Sequence, residues 1–149
     1  MTVMGVVRFE QFFREAAGLD VDKNDLKRYD DFVHVKLYDL LAIGVAHASA
    51  NDRDVVLPQD LPITKGLQEC VHAFRRIDAQ IELQPILDDI ATRPLLDLAV
   101  ADEVETRLPE LAGGLSVALA RSFKQIEPSV KNPSTEHWER AFALFDLLL

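Results

Sequence analysis

The feature that most constrains the fold is one long amphipathic stretch from Asp25 to about Ala50. Its apolar residues recur every three or four positions, which is the spacing of one helix face. The members of this widened face are Leu26, Tyr29, Phe32, Val33, Val35, Leu37, Leu40, Leu41, Ile43, Gly44, Ala46 and Ala48. A helix of this length extends for about 39 Å at 1.5 Å per residue. So wide an apolar face predicts burial on more than one side, and the remaining segments have to pack around it.

Shorter segments flank this helix in a defined order. The predicted elements of the first half are a helix over about Val6–Ala17, a β-like run over Asp54–Leu57 and a third helix from about Leu61 to Ile81. Gly18 is expected to end the first helix in a left-handed conformation. Asp22 or Asn24 is expected to cap the long helix, because a short side-chain oxygen accepts a backbone N–H there.

The second half repeats this order approximately. Its predicted elements are a short helix over Pro85–Ala91, a link over Pro94–Leu98, a long helix from about Ala99 to Ile126 and a last helix capped by Ser134 or Thr135. Pro109 is expected to kink or split the long helix. The pair Gly113-Gly114 is expected to permit a close helix crossing. We therefore predict one all-α domain made of two halves, about residues 1–80 and 81–149.

The loop after the first long helix carries a specific motif. Arg53 and Asp60 stand seven residues apart, at the spacing of an Arg and an Asp that pair in the equivalent loop of histones. Four further stretches, Phe12–Arg28, Asp60–Ile63, Leu108–Gly113 and Lys131–Pro133, resemble a bacterial family of single-chain, histone-like proteins of unknown function. The resemblance implies two histone-fold halves packed face to face as an intramolecular pseudodimer, with Arg53 and Asp60 as an ion pair.

The charge balance opposes tight binding to nucleic acid. The chain has 16 Lys and Arg against 25 Asp and Glu, a formal net charge of −9, whereas binding to DNA phosphates depends on Lys and Arg. The histone resemblance places Lys23, Lys27, Arg28 and Arg53 on the surface that would face DNA. Acidic residues interrupt this set, and the corresponding loop of the second half, residues 128–133, has no Arg.

No enzyme signature, cofactor motif or metal site is recognised. The glycine pair lacks the Lys-Ser/Thr of a phosphate loop, and His34, His47, His72 and His137 lack ligand spacing. The acids between Asp20 and Asp31 partly follow a calcium-loop template, but helix capping and solvation explain them better. Cys70 is interpreted as a buried, inert thiol.

Two functional interpretations remain open at this point. The first is a non-catalytic interaction protein that binds protein partners or itself. The alternative is a weak, sequence-independent DNA-binding protein of the nucleoid. A lone cysteine and the lack of a membrane-length apolar stretch favour the cytoplasm, and no small-molecule substrate is indicated.

Overall fold

The computed structural model describes residues 3–83 and 98–149. Its regular structure is almost entirely helical, which confirms the all-α expectation. The elements in these ranges are α1 (Val3–Ala17), α2 (Lys23–Ala50), β1 (Val55–Val56), a 3-10 turn (Pro58–Asp60), α3 (Lys65–Ile81), β2 (Ala99–Val100), α4 (Asp102–Ile126) and α5 (Thr135–Leu148). Within the same ranges, no helix combines the length and apolar character that crossing a membrane requires.

Local signals determine where α1 ends and α2 begins. Asp22 Oδ1 accepts a hydrogen bond from Asp25 N at 2.8 Å, and Asp25 Oδ2 accepts one from Asp22 N at 3.0 Å. This reciprocal capping box satisfies backbone groups that the first turn leaves unpaired, so α2 begins at Lys23, slightly before the predicted start. Gly18 has a φ of 63°, which confirms the predicted left-handed end of α1.

The third helix begins later than the predicted Leu61. Pro62 disfavours helical conformation in the residue before it, and Leu61 is accordingly extended, with ψ at 136°. Thr64 then caps α3, because its Oγ1 accepts a hydrogen bond from Leu67 N at 3.1 Å. The helix therefore starts at Lys65.

The stretch predicted as one helix from Ala99 onward begins with a strand instead. In β2, Ala99 lies opposite Val55 and Val100 lies opposite Val56, in a parallel pairing with β1. The backbone of these two residues is extended to pair with β1, so α4 begins only at Asp102. The predicted short helix at residues 85–91, and most of the link that follows it, lie outside the described residues.

α4 runs through Pro109 without interruption, so the expected split of this helix is absent. A proline in a helix interior costs about 3 kcal/mol. Leu108, Leu111 and Ala112 around it are buried, and burying one leucine side chain contributes about 1.5–3 kcal/mol. Apolar packing on this segment therefore offsets the cost of the proline.

The buried core draws on every described helix. Its largest fully buried side chains are Phe9, Phe12, Phe13, Leu19, Tyr29, Leu40, Leu41, Phe74, Leu83, Phe123 and Trp138. At its centre α3 crosses α4 closely: a Cβ added at Gly113 would lie 2.4 Å from Phe74 Cγ, and one added at Gly114 would lie 2.5 Å from Val71 Cγ2. Those distances leave no room for a side chain, which confirms the predicted close crossing.

Two backbone contacts join loops from opposite halves of the chain. At one end, β1 follows α2 and pairs with β2, which precedes α4. At the other end, Asp20 N, before α2, donates a hydrogen bond of 2.6 Å to Lys131 O, after α4. The ends are separated by the length of α2, whose 28 residues span about 42 Å.

Candidate interaction surfaces

Arg53 and Asp60 lie together in the loop region after α2. Arg53 Nη1 and Nη2 donate hydrogen bonds of 2.5 Å to the two carboxylate oxygens of Asp60. The same carboxylate accepts bonds of 2.7 Å from Leu57 N and from His47 Nδ1. These donors, with Arg53 the largest contribution, hold the pKa of Asp60 well below its usual range. The arrangement ties the loop to the 3-10 turn and occupies much of the Arg53 guanidinium.

The other three predicted DNA-facing residues lie at the opposite end of α2. Lys23 and Lys27 are exposed and make no ion pair within the described part of the chain. Arg28 is half-buried and its Nη2 donates to Thr135 Oγ1 at 2.9 Å. The structure therefore brings Lys23, Lys27 and Arg28 together and leaves Arg53 at the far end of α2, so the four do not form one patch.

Two buried polar contacts between the halves have no sequence signal. Trp138 Nε1 donates to Asp25 Oδ1 at 2.9 Å, and burial raises the pKa of Asp25. Ser116 Oγ donates to Ala112 O at 2.6 Å, so the Tyr29 hydroxyl donates to Ser116 Oγ at 2.8 Å. Burial of Tyr29 raises the pKa of its hydroxyl. Both contacts join α2 to the second half of the chain and fix how the halves pack.

Lys36 is a further charged residue that sequence reasoning missed. Its side chain is buried, and its ammonium donates to Asp146 Oδ1 at 2.5 Å and to Asp39 Oδ2 at 3.2 Å. Lys36 lies on the apolar stripe of α2, where its charge needs a partner, and Asp146 on α5 provides one. Beside this contact, the ring of Phe32 packs against Phe142 and Phe145, with centroids 5.5 and 4.9 Å apart.

The end of α5 presents an apolar face to solvent. Leu144, Leu147 and Leu148 have exposed fractions of 43%, 81% and 77%. Leu144 and Leu147 line a shallow surface groove together with Ala143, Ile126 and Arg140. We call its apolar residues and Leu148 the α4/α5 apolar face: Ile126, Ala143, Leu144, Leu147 and Leu148. Exposed apolar patches on a folded protein are typical of interaction sites.

The histidines and the cysteine occupy separate places. His47 contacts Asp60 as described, and His137 Nε2 contacts Glu127 Oε2 at 2.7 Å. Cys70 is half-buried rather than fully buried, and burial raises the pKa of its thiol. Among residues 3–83 and 98–149, no three His, Cys, Asp or Glu side chains are grouped so that they could hold a metal ion.

Comparisons with known proteins agree with this fold. A crystal structure from Thermus thermophilus is 58% identical in sequence, covers 97% of both chains and superposes with a TM-score of 0.85. A crystal structure of a protein from Aquifex aeolicus is 23% identical, covers both chains fully and superposes with a TM-score of 0.84. The second likeness shows the fold alone.

Two proteins of Aquifex aeolicus and one protein family are similar to this chain in sequence. One uncharacterized protein of Aquifex aeolicus (strain VF5) is 25% identical over 142 residues, covering 95% of this chain and 82% of the relative. Another is 30% identical over 133 residues, covering 83% and 79%. Residues 9–146 match the family described as a domain of unknown function, DUF1931. Because that match spans most of both halves, the chain belongs to the DUF1931 family.

Proposed function

We propose that this chain is a pseudodimer of two histone-fold halves that acts as a non-catalytic interaction protein in the cytoplasm. The support for the pseudodimer is the exchange of loop contacts between halves. The loop before α2 hydrogen-bonds to the loop after α4, from Asp20 N to Lys131 O. In the same way, β2 before α4 pairs with β1 after α2. A two-fold arrangement of two similar halves produces this reciprocal pattern.

The observation that carries the proposed role is the α4/α5 apolar face. Leu147 and Leu148 are its most exposed members. Burying one leucine side chain contributes about 1.5–3 kcal/mol. Two such residues on each of two copies would contribute about 6–12 kcal/mol, which is similar in size to the association cost of about 4–15 kcal/mol. We therefore expect weak, concentration-dependent self-association, and binding to other proteins through the same face.

The strongly shifted ionisable groups support a structural role over a catalytic one. Asp60 is held by Arg53 and by the backbone of the 3-10 turn, and the Tyr29 hydroxyl is held by Ser116. Each group is occupied by partners that join segments of the fold. A general acid or base instead has to reach a substrate.

Sedimentation velocity over a range of protein concentrations tests the role. The variant Leu144→Glu/Leu147→Glu places charges on the apolar face, and we expect it to stay monomeric where the parent associates. Ile43→Glu is the matched control, since Ile43 is 53% exposed and lies away from α5. On α2, Phe32 packs against α5, and Ile43 lies about 16 Å along the helix from Phe32, at 1.5 Å per residue. The proposal would be contradicted if the parent and the double variant sediment identically and if pull-downs with each of them capture the same cellular proteins.

DNA binding is the second candidate, and one observation favours it. Lys23 and Lys27 are exposed at the start of α2, where they could reach phosphates. Asp20, Asp22 and Asp31 are exposed in the same region, and acids among basic residues reduce phosphate affinity. Self-association through the apolar face therefore remains the favoured function.

A further inference from the structure

A groove of about 550 Å³ lies between the 3-10 turn, α3 and α4. Val71 and Leu111 line it and are themselves almost fully buried. His72, Arg75 and Arg107 also line it, and all three are exposed. Its volume lies within the range of about 300–1,000 Å³ that is typical of small-molecule sites. The groove thus combines an apolar floor with a rim of nitrogen donors.

The charge in this groove is positive, against the acidic balance of the whole chain. Glu110 is its one carboxylate among the described residues, and it accepts hydrogen bonds of 2.7 and 2.9 Å from Arg75 Nε and Nη2. That bidentate pair neutralises both groups. The Arg75 guanidinium, followed by Arg107 and His72, lowers the pKa of Glu110. Arg107 makes no ion pair in residues 3–83 and 98–149, so two guanidinium groups face one carboxylate and the groove carries a net positive charge.

The ion pair also prepares Arg75 for a second partner. Because Glu110 takes Nε and Nη2, the guanidinium plane is held in one orientation, and Nη1 makes no hydrogen bond to a described residue. Arg107 supplies the other guanidinium of the groove from an exposed position on α4. Two guanidinium groups of this kind match the oxygens of a phosphate or carboxylate, which they bind with strong, charge-assisted hydrogen bonds.

We propose that this groove binds a small organic anion, with its phosphate or carboxylate group on Arg75 and Arg107 and its apolar body on Val71 and Leu111. The site is independent of the α4/α5 apolar face. Arg107 and Ile126 are 19 positions apart on α4, a separation of about 28 Å. Binding of the anion and self-association can therefore be tested separately.

A nuclear magnetic resonance titration of the full chain tests this site with phenyl phosphate as the probe. Phenyl phosphate should shift the backbone signals of α3 and α4 around the groove in a saturable manner, with a Kd of about 10 mM or below. Benzoate, as the carboxylate arm, establishes which anionic group binds better. Inorganic phosphate and phenol each carry half of the proposed recognition and should bind more weakly.

The variant Arg107→Gln removes the net positive charge of the groove and should weaken phenyl phosphate binding about fivefold or more, since charge-assisted bonds are about twice as strong as neutral ones. Arg121→Gln is the matched control: Arg121 is exposed on the same helix and does not line the groove, so affinity should stay unchanged. Absence of saturable shifts around the groove, or equal affinity in Arg107→Gln and the parent, overturns the site. Inorganic phosphate binding as tightly as phenyl phosphate overturns the assigned ligand class.

Discussion

Replacing Gly114 by alanine should destabilise the protein, although alanine is the better helix former. The new Cβ would lie 2.5 Å from Val71 Cγ2, 3.2 Å from Val71 N and 3.3 Å from Val71 Cα. A change of the Val71 rotamer could relieve the contact with Cγ2, but the tight contacts at 3.2 and 3.3 Å are with the backbone of α3, which no rotamer moves. The two helices have to move apart, and their neighbouring core contacts loosen with them.

The size of the effect follows from two opposing contributions. Overpacking a closely packed core costs about 1–3 kcal/mol, and the contact with backbone places Gly114→Ala near the upper end. Replacing glycine by alanine within a helix returns about 1 kcal/mol. We therefore expect a net loss of about 2 kcal/mol, which lowers the Tm of a chain of this size by about 4–8 °C.

Gly66→Ala is the matched control because it makes the same substitution in α3 without a clash. A Cβ at Gly66 would meet only Thr64 Oγ1, at 4.0 Å, so the variant should gain up to about 1 kcal/mol. Urea unfolding, followed by circular dichroism and by the fluorescence of Trp138, measures both variants against the parent. Gly114→Ala matching Gly66→Ala in stability would refute the close crossing of α3 and α4.

Three further expectations follow from the structure. Because the Arg53 guanidinium holds the pKa of Asp60 low, this carboxylate stabilises the fold fully above its unfolded pKa of about 3.9 and progressively less as the pH falls below it. As the pH is lowered, Asp60→Asn should therefore lose less stability than the parent in urea titrations. An equal loss of stability in the two proteins would argue against the Arg53–Asp60 pair. Removing residues 134–149 should abolish cooperative unfolding, since Trp138 is buried in the core; a truncated chain that melts like the parent would disprove this. Binding to a duplex of about 30 base pairs at ~150 mM salt should have a Kd weaker than about 10 µM by fluorescence anisotropy. A sub-micromolar Kd that is lost on replacing Lys23, Lys27 and Arg28 by alanine would promote the nucleoid interpretation.

Features that depend on near neighbours could be predicted from the sequence. The long helix was visible in its apolar spacing, its start in Asp22 and the preceding end of α1 in Gly18. The last helix begins at Thr135 after the Ser134 cap, as expected. Each of these signals acts over one helical turn, because caps and periodic faces involve residues only three or four positions apart.

Features that depend on distant neighbours were decided by the tertiary structure. Ala99 and Val100 form a strand only because β1 lies beside them, and a two-residue segment has no periodicity of its own. Pro109 stays within α4 because the packing around it outweighs a local preference. The buried charge of Lys36 is satisfied by Asp146, 110 residues away. Such contacts depend on how the helices cross, and spacing along one helix does not determine which side chain a second helix brings against it.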